Sequence, residues 1–193
     1  TKTFKVLDHG KWTVDHGEDW ISFTHELNSD FGYGYEYRKI IQLRGDGFSI
    51  GHQLVNKGDR LIETDQFNHN FFMIDGETSG PAFAVSFPYD IATEDVLKGL
   101  MEIKANELHF KQEFRDTNLF MTLTGYTNQA ADHEVSVLNN KTGAGVKFSV
   151  DQPIHRMCFW ACETTLCPEN FIWISVAPGE SMEWTSDYTL FVK

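Results

Sequence analysis

Aromatic and β-branched side chains alternate with polar ones along most of this chain, and turn-forming residues interrupt the alternation every few positions. A period of two places successive side chains on opposite faces of a strand, whereas a helix needs apolar residues three and four apart. The pattern predicts an all-β architecture, an antiparallel sandwich or barrel built from short strands. Tyr33, Tyr35, Tyr37 and Lys39 share one face of a strand, with Gly32, Gly34, Glu36 and Arg38 on the other. Further strands are expected at residues 4–7, 11–14, 20–27, 48–55, 59–65, 72–74, 82–88, 107–114, 119–126, 134–139, 145–150, 155–161, 171–176 and 184–192. Arg44-Gly45-Asp46-Gly47, Asn56-Lys57-Gly58-Asp59 and Ala177-Pro178-Gly179-Glu180 read as turns. The spacing predicts one helix, over 93–105, where Glu94 and Asp95 suit an N-terminus and Val96, Leu97, Leu100 and Met101 share a face. No linker, repeat or low-complexity run divides residues 1–193, so one domain is expected.

Charge and cysteine usage narrow the partners. The net charge is −12, and Lys and Arg form no cluster. Nucleic acid and anionic membrane surfaces, which need such clusters, are therefore not expected partners. No run of about 18 apolar residues exists to cross a bilayer as a helix. No basic-then-apolar leader is visible, yet the chain opens at Thr1, which suggests processing or shortening. Cys158, Cys162 and Cys167 fall within ten residues, an odd number that argues for reduced thiols and a cytoplasmic setting. With His155 they spell H-x2-C-x3-C-x4-C. Structural zinc sites favour two well-separated ligand pairs, so Phe159-Trp160-Ala161 is read instead as part of a buried strand.

Two residues stand out as carriers of chemistry. His69 lies between two asparagines within Phe67-Asn68-His69-Asn70-Phe71-Phe72, where an aromatic-rich strand would aim an imidazole and tune it. Glu169 follows Pro168 and precedes Asn170-Phe171-Ile172-Trp173, surroundings that would desolvate a carboxylate and make it a better base. His9, His16 and His25 lie near turns, and His52 reads as a core histidine. Cys162 and Cys167 have nothing local to mark them as nucleophiles. No nucleophile elbow, zinc-protease helix or phosphate-cradling loop occurs.

Taken in order, Tyr35-x-Tyr37-x-Lys39, Asn68-His69-Asn70-Phe71-Phe72, Gly80-Pro81, Phe87-Pro88, Phe159-Trp160, Pro168-Glu169-x-Phe171-Ile172 and Pro178-Gly179-Glu180 through Trp184 to Tyr188 resemble the galactose mutarotase-like (aldose 1-epimerase) superfamily. The resemblance implies an antiparallel β-supersandwich and interconversion of the α and β anomers of a free sugar, without metal or cofactor. It implies His69 as the acid and Glu169 as the base. Asn68, Arg38, Lys39, Asp151 and Trp160 are the candidate substrate contacts, polar groups to orient sugar hydroxyls and an aromatic face for the ring. Characterised mutarotases carry a second active-site histidine and a sugar-binding arginine in an earlier stretch without a counterpart here. The resemblance thus implies a shortened chain whose open sheet edge favours a homodimer. A non-catalytic carbohydrate-binding β-sandwich is the alternative. A cupin-like metal barrel lacks its H-x-H pair.

Overall fold

The structure is a computed structural model that describes residues 5–193. Of the strand expected at 4–7, Phe4 lies outside the described residues, and Lys5, Val6 and Leu7 form no strand. The elements in chain order are β1 (Lys11–His16), β2 (Trp20–Asn28), β3 (Gly34–Arg44), β4 (Gly47–Asn56), β5 (Ile62–Gln66), β6 (Phe83–Ser86), β7 (Met101–Lys104), β8 (Glu107–Phe110), β9 (Asn118–Leu123), β10 (Val135–Asn139), β11 (Ala144–Val150), β12 (Arg156–Cys162), β13 (Leu166–Val176) and β14 (Ser181–Val192). Among the described residues they make two antiparallel sheets and no closed barrel, so of the sandwich or barrel that the alternation predicts the fold is the all-β sandwich. Two compact units divide the chain, one running to Thr64 and taking in Ile174–Thr185, the other holding Asp65–Trp173 and Ser186–Lys193.

In the first unit, β1, β2, β3, β4 and the start of β14 lie side by side in that order. The pairing runs in register from Trp20 opposite Gln42 to Asn28 opposite Gly34, and from Tyr35 opposite Asn56 to Arg44 opposite Gly47. Gly58 closes the turn after β4. A Cβ there would come within 2.5 Å of the Gly32 carbonyl oxygen and the Gly34 nitrogen, so only glycine lets the chains approach. Asn56 is fully buried, and its amide donates to the carbonyls of Arg60 (2.7 Å) and Val176 (2.8 Å). His52 is a core histidine, stacked on Trp184 with ring centroids 4.9 Å apart and its Nδ1 2.6 Å from the Tyr37 hydroxyl.

In the second unit, the end of β14, β11, β10, β6, β8 and β7 form one sheet, while β13, β12 and β9 belong to the other. Val85, Leu108, Val137, Leu119, Met121, Met157 and Phe159 are at most 1% exposed and fill the space between them. Phe110 meets Phe159 edge-on at 6.2 Å, and Phe72 packs against Phe148 at 5.7 Å. Burial at this density is what stabilises a two-layer domain.

Two further expectations need correction. The helix over 93–105 does not form. Lys98 and Gly99 take positive φ of 52° and 68°, the Leu100 amide donates to the Leu97 carbonyl, and residues from Met101 on pair as β7 with β8. Leu100 and Met101 are buried, but Val96 is 78% exposed, so sheet pairing and not a helical stripe organises these apolar residues. The single helical turn among the described residues is the 3-10 turn Ala130–His133. Residues 72–74, expected as a buried strand, contribute only an isolated bridge from Phe72 to Leu166, and Met73 is exposed.

Burial pushes both His52 and His133 down to about 4 from an ordinary value of 6.5. At His52 the Lys39 charge adds to the burial; at His133 the Pro153 carbonyl and the charges of Asp132 and Asp151 oppose it. Between about pH 6.5 and 4 the unfolded chain binds protons that these folded rings refuse. Stability therefore rises with pH across that window and is lost as pH falls through it, by on the order of 1–3 kcal/mol per ring. A plot of melting temperature against pH is expected to drop between pH 6.5 and 4, and the double variant His52→Gln/His133→Gln to drop less steeply. Equal slopes would contradict the assignment.

Candidate active site

The second unit gathers the chemistry-bearing residues on one face of β12 and β13. In this antiparallel pair Arg156 stands opposite Phe171, Cys158 opposite Glu169, and Trp160 opposite Cys167. Alternate residues share a face, so Arg156, Cys158 and Trp160 lie on the same side as Cys167, Glu169 and Phe171. Glu169 is therefore a strand residue, because β13 starts at Leu166 and not at Phe171 as the sequence suggests. Pro168 fits within the strand. Leu166 exchanges backbone hydrogen bonds with Phe72, and two residues on, Pro168 has no N–H to offer the same edge.

His69 rides on chain that has left the ladder. The Asn70 amide donates to the Asn68 carbonyl at 2.9 Å, and the Phe72 amide donates to the Asn70 carbonyl at 3.0 Å. Each bond closes a three-residue turn, with His69 central in the first and Phe71 in the second. The stiff strand expected here is thus replaced by two consecutive tight turns. They set the His69 and Phe71 rings in a stack, centroids 4.0 Å apart and 20° from parallel. Phe67 lies at 5.3 Å from the imidazole, and Trp160 presents its edge at 6.0 Å.

The asparagines on either side of His69 are anchored from below. Asn68 donates to the Ser186 hydroxyl (3.1 Å) and to the Tyr188 hydroxyl (3.2 Å), and Tyr188 donates to the Asn70 side-chain oxygen (3.0 Å). One phenol therefore ties both flanks of the turn.

The imidazole meets two partners with its two nitrogens. Nε2 lies 3.6 Å from Glu169 Oε1, and Nδ1 lies 3.2 Å from Cys167 Sγ. The His69 side chain is 41% exposed and that of Glu169 only 7%, so the pair has one open and one sheltered member. Burial raises the Glu169 carboxyl above its usual range, and the charges of His69 and Arg156 hold part of that rise back. Burial likewise pushes the Cys167 thiol up to about 12, with the Glu169 charge adding to it and the Asn70 amide opposing it. Arg156 is held by Asp65 at 2.8 Å and lies 3.9 Å over the Phe171 ring.

Donor atoms of His69, Cys167 and Glu169 lie within 4.8 Å of one another. The contacts among them run from the thiol through the imidazole to the carboxylate. The H-x2-C-x3-C-x4-C run assembles no such group among the described residues: Cys158 and Cys162 are free thiols, and His155 packs on Trp173 at 5.0 Å.

Of the residues expected at the site, His69, Asn68, Trp160 and Glu169 come together in this unit. Asp151 lies in an exposed bend after β11, where its charge bears on His133. Arg38 and Lys39 belong to the first unit, opposite Gln53 and His52. The sequence reading weighed Cys167 only as a zinc ligand or nucleophile, named Tyr188 only within the family-like series, and did not single out Arg156. The Cys167-x-Glu169 spacing would have marked them as face-sharing neighbours had the strand been recognised from Leu166.

No protein-family model matches the sequence, and no curated protein matches it. Solved structures do. A galactose mutarotase related enzyme from Lactobacillus acidophilus superposes with a TM-score of 0.68 at 16% identity, covering 94% of this chain and 73% of its own. A galactose mutarotase-like protein from Lactobacillus casei gives 0.69 at 10% identity, covering 93% and 73%. An aldose epimerase homologue from C. elegans gives 0.65 at 13% identity, covering 94% and 69%. The chain therefore has the galactose mutarotase-like fold, and it spans about two-thirds to three-quarters of the length of these proteins.

Replacing Tyr188 by Phe removes the hydroxyl that links Asn68 to Asn70. A loss of about 1–3 kcal/mol is expected in denaturant unfolding, with faster hydrogen exchange at the Asn70 and Phe72 amides. Unchanged exchange there would show that the turn is held by other contacts.

Proposed function

We propose that this chain interconverts the α and β anomers of a free aldose, with His69 as general acid and Glu169 as general base. The observation that carries the reading is an accessible imidazole 3.6 Å from a buried carboxylate. The ring oxygen and the anomeric hydroxyl of a sugar share one carbon, so two protein groups this close can each reach one of them at hydrogen-bond distance. Glu169 takes the proton of the anomeric hydroxyl while Nε2–H of His69 protonates the ring oxygen. The bond from C1 to the ring oxygen breaks and C1 becomes an aldehyde. Rotation about C1–C2 turns the other carbonyl face to the returning hydroxyl, and the same groups exchange protons in reverse. A raised carboxyl is a stronger base than an ordinary glutamate once ionised. Phe67, Phe71 and Trp160 offer apolar surface to a sugar ring.

The fold neighbours named for mutarotase or aldose epimerase support the class of ligand, a small carbohydrate. A non-catalytic carbohydrate-binding role is the second reading. It is favoured by the aromatic wall around His69, which would hold a sugar without any proton transfer.

Catalysed α/β exchange of glucose or galactose, followed by polarimetry or NMR, is expected to fall roughly 10²–10⁴-fold in both His69→Ala and Glu169→Gln. The rate should rise with pH through the Glu169 titration, since the base must be ionised, and that limb should be centred above the ordinary 4.5. Sugar binding by calorimetry without any acceleration by the wild-type protein would select the second reading.

A further inference from the structure

We propose that Cys167 is a positioning residue that keeps a proton on Nε2 of His69, the nitrogen facing Glu169. The proposal deepens the reading of His69 as proton donor and rests on it for its catalytic consequence, but not for its structural content. Sγ of Cys167 lies 3.2 Å from Nδ1, close enough for a sulfur hydrogen bond. A thiol is both a weak donor and a weak acceptor. The thiol has two acceptors in reach, Nδ1 at 3.2 Å and the Pro168 carbonyl at 3.8 Å; donation to the nearer, Nδ1, places a neutral ring's one proton on Nε2. Facing an imidazolium, the thiol turns and accepts from Nδ1–H, and Nε2 is protonated again. Sulfur thus serves Nδ1 in either charge state and leaves Nε2–H facing Glu169.

Two further observations support the assignment. Cys167 is fully buried and its thiol is pushed up to about 12, so it stays protonated near neutral pH and keeps its S–H. The same burial argues against a nucleophilic role, which needs a thiolate within reach of substrate. The ring is also fixed in place: Phe71 covers one face at 4.0 Å and Trp160 closes an edge at 6.0 Å. A carboxylate at Nδ1 would instead favour the charged ring and hold its proton back. A neutral, reversible partner suits a group that must give up a proton and recover it in each turnover.

The test has two arms, both on the full chain. In the first, ¹⁵N-histidine-labelled protein is examined by NMR at a pH where His69 is neutral. The wild type and Cys167→Ser are expected to hold the proton on Nε2, and Cys167→Ala to give a mixture of tautomers. A proton on Nδ1 in the wild type, or an unmixed Nε2–H tautomer in Cys167→Ala, would overturn the proposal. In the second, anomer exchange is expected to lose about tenfold in kcat with KM unchanged in Cys167→Ala, and to stay within about threefold of wild type in Cys167→Ser. Equal losses in both variants would overturn the positioning role. A wild type with no exchange activity would remove the proposed function, while the tautomer arm would still decide the contact.

Discussion

The site depends on the register of one antiparallel pair. With Trp160 opposite Cys167 and Cys158 opposite Glu169, the face of β13 that carries the carboxylate also carries the thiol, two positions away. A slip of one residue would send both side chains to the other face. Pro168 between them lacks the N–H that a continuing ladder would use on the Phe72 edge, and the chain beside it turns twice instead of pairing. The imidazole is delivered by those turns to the two groups that the strand has fixed.

Electrostatics follows from that placement. Glu169 is sheltered enough for burial to raise its proton affinity, yet the charges of His69 and Arg156 limit the rise. Arg156 is itself restrained by Asp65 and by the Phe171 ring. Deeper burial would raise the carboxyl further, and exposure would remove the rise. The open side of the pair is left to His69, the member that can tolerate water.

The sheet character was legible because strand periodicity is a property of neighbouring residues. Strands such as β2, β4 and β10 fell close to their expected bounds for that reason. The start of β13 was missed because the strand was begun at the aromatic run from Phe171, and only the tertiary pairing reveals that Pro168 occupies a strand position where no N–H is required. The helix over 93–105 failed through the opposite error. Leu97, Leu100 and Met101 have helical spacing, but the left-handed backbone at Lys98 and Gly99 breaks the segment before β7 begins. His69 and Glu169 were named from their local surroundings and from the family resemblance. Their 3.6 Å approach, and the thiol on the far nitrogen, depend on residues nearly a hundred positions apart that no local pattern can join.

The two halves of the site are rooted differently. The carboxylate is set into a hydrogen-bonded ladder among side chains that are almost all sealed from solvent, so altering it or its neighbours disturbs the packing that keeps the domain folded. The imidazole sits on a short excursion of backbone held by Tyr188, Ser186 and the bridge from Phe72 to Leu166, outside the ladders themselves. A substitution on the exposed side of the excursion, as at Phe71, therefore disturbs less packing than one at Glu169.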